Sequence, residues 1–305
     1  MTPEAPRTTV WSVLRPPPLR PGDRVRVVAP SGPFDHTLVW RGMGFLSERY
    51  RVEVDRGCFV RHGFLAGTDE RRRDELNAAL ADPDLSAIVA ARGGYGFGRI
   101  AASIDLAALA RHPKWLVGFS DITALHVEAA RIGVASMHAH NAAGLGRGDA
   151  HARAAWIAAL EAPETPRSFD DLELWYGGSA EGPLFGGNLT MLFTCAAAGR
   201  LSPPPGALWM LEDVTESAYR LDRMLTALID GGAFDRAAGV IVGELTDCGP
   251  GIHGVPALDV LRERLGTLGV PVLAGLPMGH GRHNAPMPLG LGARIEGRRL
   301  TVSLA

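Results

Sequence analysis

The chain has 305 residues, with 33 acidic against 31 basic side chains and a formal net charge of -2. That length exceeds most single cores and suits two domains, the balanced charge argues against a nucleic-acid or anionic-membrane partner, and no uncharged apolar run approaches a membrane span. The three cysteines, Cys58, Cys195 and Cys248, are widely spaced with no C-x-x-C pair, which argues against a disulfide framework and makes the cytoplasm the expected location.

Residues 1–20, with Arg7, Arg15 and Pro16-Pro17-Pro18, read as a proline-rich tail lacking the apolar core of a signal peptide. An N-terminal α/β domain is expected over 21–145. Residues 24–30 make its first strand, opening into Ser31-Gly32-Pro33, and 39–48 have helical spacing. Residues 51–54 make a second strand and 69–82 a second helix. In that helix Arg71-Arg72-Arg73, set among acids, reads as a solvated face with internal ion pairs. A third strand over 87–90 runs into the glycine-rich stretch Arg92-Gly93-Gly94-Tyr95-Gly96-Phe97-Gly98. After another helix, the apolar run Trp115-Leu116-Val117 leads through Gly118-Phe119-Ser120-Asp121-Ile122 into a helix at Thr123. Strands alternating with helices imply a parallel sheet with right-handed crossovers and ligands at the carboxyl ends of its strands. Residues 146–182, with Pro163 and Pro166, read as a linker with one helix. A C-terminal α/β domain follows over 183–305. Its helices are expected at 189–198, 219–230 and 258–265, its strands at 208–212 and 239–243, and it ends in a hairpin around Glu296-Gly297-Arg298.

The chemistry starts at Ser120. A hydroxyl on a strand-to-helix turn is held out of the sheet beside free backbone N–H groups, the placement that acyl-transfer nucleophiles use. A serine nucleophile needs a histidine base, and that base needs a carboxylate to fix its tautomer. Downstream stand an acid at the end of an apolar run, Glu212, and a glycine-flanked histidine, His280. Asp213 and Glu216 compete with Glu212, although strand alternation sends Glu212 and Asp213 to opposite faces. His138, His140 and His283 compete with His280. The His138-Ala139-His140 pair lacks an H-E-x-x-H helix, a cysteine partner and an acidic ligand at usable spacing, so no metal is expected. The glycine stretch misses the G-x-G-x-x-G spacing of a dinucleotide site and belongs to the third strand; it suits an oxyanion cradle better. With the serine in one domain and the acid and base in the other, the site is expected at the interface.

These residues sit in longer phrases: Arg92-Gly93-Gly94-Tyr95-Gly96, Gly118 to Leu125, Gly186-Gly187-Asn188-Leu189, Leu211-Glu212-Asp213-Val214 with Glu216, Tyr219 to Leu225, and Gly279-His280. Together they resemble the L,D-carboxypeptidase family of serine peptidases, the group that also includes the microcin-immunity hydrolases, from about residue 21 to the end. The resemblance implies an N-terminal parallel-sheet domain, flavodoxin- or glutamine-amidotransferase-like, plus a smaller C-terminal α/β domain. It implies Ser120 as nucleophile, Glu212 as the acid and His280 as the base, with backbone N–H groups of Gly93 or Gly94 and of Asp121 as oxyanion hole. Asn188, Glu216 and Arg223 are the expected substrate contacts. The implied substrate is a murein tetrapeptide or muropeptide, with an aminoacyl-nucleotide antibiotic as the alternative. No cofactor is implied, and a homodimer is the assembly considered.

Overall fold

The computed structural model describes residues 13–304, so the first twelve residues of the expected tail lie outside it. In chain order its first half comprises β1 (Arg24–Val28), α1 (His36–Ser47), β2 (Arg51–Val54), α2 (Asp69–Ala81), β3 (Leu85–Ala90), α3 (Phe97–Ile100), α4 (Leu106–Arg111), β4 (Trp115–Gly118), α5 (Thr123–Arg131), β5 (Ser136–His138) and α6 (Ala142–Arg147). Then come α7 (Ala150–Glu161), β6 (Arg167–Phe169), β7 (Glu173–Tyr176), β8 (Ser179–Asn188), α8 (Leu189–Ala197), β9 (Leu208–Val214), α9 (Ala218–Asp230), β10 (Gly239–Thr246), α10 (Ala257–Gly266), β11 (Val272–Ala274), β12 (Met287–Leu289), β13 (Gly292–Glu296) and β14 (Arg299–Leu304). Helix starts follow local chemistry. The side chains of Asp35, Thr68, Asp105, Asn141, Asp149 and Asn188 each accept an N–H of the first turn they precede, supplying an acceptor to donors that have no partner within the helix.

The first sheet has the order β12-β5-β4-β3-β1-β2. β1 to β5 run parallel, as the strand–helix alternation requires, and β12, from the far end of the chain, closes the β5 edge antiparallel. The second sheet has the order β6-β14-β13-β8-β9-β10-β11-β7. Its centre, β8 to β11, is parallel, and the C-terminal hairpin extends it antiparallel. One core cluster runs from Val28, Leu76 and Ile88 through Leu125 to Leu189, Trp209 and Leu225, so helices from both halves share it.

Two stretches differ from the sequence reading. Residues 146–182 contain the expected helix, α7, but also β6 and β7, which become the two edges of the second sheet, and the start of β8, which lies in its interior. Strands of three or four residues carry too little periodicity to be read locally and exist because an edge is there to pair with. Within the proline-rich stretch, Leu19 is buried and donates its N–H to the Leu160 carbonyl at 2.8 Å, and the Trp115 indole donates to the Pro17 carbonyl at 2.9 Å.

Arg72 corrects the expectation of a solvated arginine face. It is fully buried and donates to the carbonyls of Pro30 at 2.5 Å and Gly96 at 2.7 Å. Arg71 donates to the Ala29 carbonyl at 2.6 Å. The run therefore braces the turns after β1 and β3, and among the described residues Arg73 alone of the three bonds to nothing beyond its own helix.

Candidate active site

β4 ends at Gly118, and the chain turns so sharply into α5 that Ser120 takes φ 65, a left-handed conformation that L residues other than glycine seldom adopt. The turn is held from below. His126, one turn into α5, donates from Nε2 to the Gly118 carbonyl at 3.0 Å and meets Ser136 Oγ through Nδ1 at 2.9 Å, and burial pushes its imidazole down to about 4. It is held from the side by Asp121, whose carboxylate accepts the Phe97 N–H at 2.8 Å and so ties the serine turn to the glycine stretch. Burial raises the Asp121 carboxyl above the usual range. Gly93 lies so close that a Cβ there would be 2.8 Å from the Ser120 Cβ and 3.1 Å from its Oγ. The Gly93 and Gly94 N–H groups donate to no backbone acceptor among the described residues. Gly93 and Gly94 line the same cavity as Ser120, and backbone donors of this kind are what an oxyanion needs.

The acid and base come from the second half. Glu212 is near the end of β9, its side chain wholly buried, and its Oε2 sits 2.7 Å from His280 Nδ1. Burial raises the Glu212 carboxyl, while the pairing with His280 opposes that rise. A carboxylate on Nδ1 leaves Nε2 as the free nitrogen of the ring, which is the tautomer a general base requires. Asp213 points the other way: it accepts from Asn188 Nδ2 at 3.1 Å and from Thr190 Oγ1 at 2.8 Å.

The two halves meet on one cavity of about 760 Å³, whose walls include Ser120, His280, Gly93, Gly94 and Phe119. The Phe119 and His280 rings lie 4.9 Å apart between centroids. No hydrogen bond joins Ser120 to His280 among the described residues; such contacts in ligand-free sites commonly tighten only with substrate in place. The docking that brings them together is specific. The Asn188 N–H donates to Thr123 Oγ1 at 3.1 Å, linking the end of β8 to the start of α5, and Asn188 pairs with Glu212 in the sheet register.

Three expected substrate contacts fall elsewhere. Asn188 is buried and its amide is spent on the Met191 N–H and on Asp213. Glu216 faces Arg220 at 3.6 Å, and Arg223 sits over the Tyr219 ring at 6.0 Å, away from the serine cavity. The charge on that cavity wall comes instead from Arg61, Arg92 and Arg147, with Asp35, which the sequence reading did not single out. It also missed Asn284 and Glu244. Asn284 Oδ1 accepts the Gly279 N–H at 3.0 Å and meets His138 Nε2 at 3.1 Å, while Glu244 accepts the Gly281 N–H at 2.6 Å. A Cβ on Gly281 would press on the Glu244 carboxylate, which would have to shift and give up this contact. His138 is thus a fully buried brace of the histidine loop, pushed down to about 3 by burial. Among the described residues no group of three His, Cys, Asp or Glu side chains is arranged to hold a metal ion.

The chain resembles known proteins over nearly its whole length. The murein tetrapeptide carboxypeptidase of Pseudomonas aeruginosa is 36% identical over 291 residues, 91% of this chain and 94% of that protein. The crystal structure of muramoyltetrapeptide carboxypeptidase from Oxalobacter formigenes superposes with a TM-score of 0.82 at 28% identity, over 92% of this chain and 97% of that one. The structure of MccF in complex with glutamyl sulfamoyl guanosine has the same fold, with a TM-score of 0.86 at 20% identity over 95% and 99% of the two chains. Residues 25–139 match the LD-carboxypeptidase N-terminal domain and 181–295 the LD-carboxypeptidase C-terminal domain, so the chain belongs to the LD-carboxypeptidase family.

Proposed function

We propose that this protein is a serine L,D-carboxypeptidase that releases terminal D-alanine from murein tetrapeptide, or from muropeptides bearing it, in peptidoglycan recycling. Ser120 Oγ attacks the carbonyl of the L,D bond as His280 takes its proton. Glu212 steadies the imidazolium, and N–H groups of Gly93 or Gly94 and of Asp121 receive the tetrahedral oxyanion. His280 then protonates the leaving amine, and water resolves the acyl-enzyme with no cofactor. The observation that carries this reading is the 2.7 Å contact of His280 with the buried Glu212, at the wall of the cavity that holds Ser120. The substrate is supported by the Pseudomonas aeruginosa relative, which covers nearly the whole chain. Cleavage of an aminoacyl-nucleotide antibiotic lacks equal support, because the likeness to MccF at 20% identity concerns the fold.

The reading includes a cytoplasmic location, which suits three unpaired cysteines, and a homodimer, which analytical ultracentrifugation or light scattering would test. The deciding assay gives murein tetrapeptide and an aminoacyl sulfamoyl adenosine in parallel to the protein and to Ser120→Ala. D-alanine release by the unmodified protein alone is expected. Hydrolysis of the adenosine with the tetrapeptide untouched would transfer the assignment to the antibiotic, and turnover by Ser120→Ala would remove the nucleophile from Ser120.

A further inference from the structure

His280 lies on the walls of two cavities. The larger, about 760 Å³, contains Ser120; the smaller, about 270 Å³, does not. Phe119, Gly144 and Arg147 border both, and His140, Gly281 and Arg282 line only the smaller. In acyl transfer the acyl part remains on the serine, whereas the leaving group departs past the base that protonates it. A space that touches the base and not the nucleophile therefore suits the leaving group. At about 30 Å³ per water-sized group, it holds on the order of nine heavy atoms, enough for one small amino acid and too little for a peptide.

Its polar groups suit a carboxylate. Arg282 is already paired with Asp149 at 3.1 Å, whereas Arg147, the last residue of α6, forms no ion pair among the described residues. His140 is buried, and neither ring nitrogen reaches a partner at hydrogen-bond geometry. Burial pushes its imidazole down, an effect that the neighbouring backbone of Arg282 and His283 opposes; a neutral imidazole carries one N–H to donate.

We infer that the smaller cavity receives the departing C-terminal amino acid, with Arg147 holding its carboxylate and His140 donating a hydrogen bond to it. The inference rests on the serine-hydrolase reading above. The scissile C–N bond breaks, the amine nitrogen takes the proton that His280 removed from Ser120, and the amino acid leaves with its carboxylate unchanged. A peptide whose C-terminus is amidated loses the partner of Arg147, so the pocket selects for a free C-terminus.

The test compares the unmodified protein with Arg147→Ala and Arg147→Lys on murein tetrapeptide and its C-terminal amide, and titrates each protein with D-alanine by NMR. Preference for the free acid is expected, falling roughly tenfold in Arg147→Ala and partly restored in Arg147→Lys, at unchanged melting temperature. D-alanine should shift resonances of the unmodified protein and not of Arg147→Ala. An unchanged acid-over-amide ratio, or equal D-alanine binding by the variant, overturns the pocket while tetrapeptide cleavage keeps the hydrolase reading. A protein that cuts neither peptide yet binds D-alanine through Arg147 supports the pocket and sinks the hydrolase reading; one that does neither overturns both.

Discussion

Ser120, the proposed nucleophile, sits on a strained turn, and its chemistry and its strain can be separated by substitution. Its φ of 65 costs a side chain what it does not cost glycine. Ser120→Gly should therefore be more stable than Ser120→Ala by about 1 kcal/mol in urea melts, with turnover abolished in both. Equal stabilities would mean that the turn carries no strain. Gly93→Ala should reduce turnover by at least tenfold, since its methyl group would press on the Ser120 side chain at 2.8 Å. Normal kinetics for that variant would take the glycine stretch out of the site. His280→Ala and Glu212→Ala should each lower kcat by several orders of magnitude, and the double variant little further, because residues of one catalytic unit are non-additive.

At the scale of elements, the serine turn and the glycine stretch stay in place through buried groups that never meet substrate. Arg72 of α2 holds the turns after β1 and β3 through the Pro30 and Gly96 carbonyls. Arg72→Met leaves those carbonyls unpaired and is expected to cost on the order of 3 kcal/mol of stability, read from denaturant midpoints. His126 and His138 hold the serine turn and the histidine loop as neutral rings, pushed down to about 4 and about 3 by burial. In the unfolded chain both titrate near 6.5. A depressed folded value contributes stability that is complete above the unfolded pKa and lost as pH falls towards the folded one. Unfolding free energy should thus decline between about pH 6.5 and 4, by up to about 1.4 kcal/mol per pH unit for each histidine. His126→Gln should flatten that slope by one such increment; parallel slopes would show that His126 is not a buried neutral ring.

For the whole molecule, the decisive feature is that the two sheets share a core and are joined by buried polar contacts. Glu128 of α5 is buried and meets Arg200 of the second half at 2.5 Å, and Arg200 also donates to the Ala101 carbonyl at 3.0 Å. Calorimetry should show both halves unfolding in one transition, and Arg200→Ala should lower its midpoint by leaving a buried carboxylate with only Arg131. Asn188→Ala should act in the same way, since its amide caps α8 and holds Asp213: a lower melting temperature with KM unchanged. A raised KM at constant stability would return Asn188 to the substrate.

The sequence by itself determined β1 to β4 of the first sheet and the places of Ser120, Glu212 and His280 at the ends of their runs, whereas β12, which closes that sheet from the far end of the chain, was not legible. The period of its strands and helices is a local property, and the turn carrying Ser120, the end of the Leu208-to-Glu212 run and the glycines around His280 are set by a few neighbours each. Tertiary structure alone decided what surrounds them. Whether Arg72 meets water or two carbonyls depends on turns that come from separate strands. The short strands of residues 167–176 exist through an edge formed by β14 and β11. Asn188 stands in one of the family phrases and Glu216 beside Glu212, yet Asn188 is spent on the scaffold and Glu216 faces Arg220, while Arg92, just after β3, and Arg147, the last residue of α6, reach the cavity. Short-range spacing fixes which residue types a turn presents; which of them face a common cavity depends on how two sheets dock, and that is a sum over contacts distant in sequence.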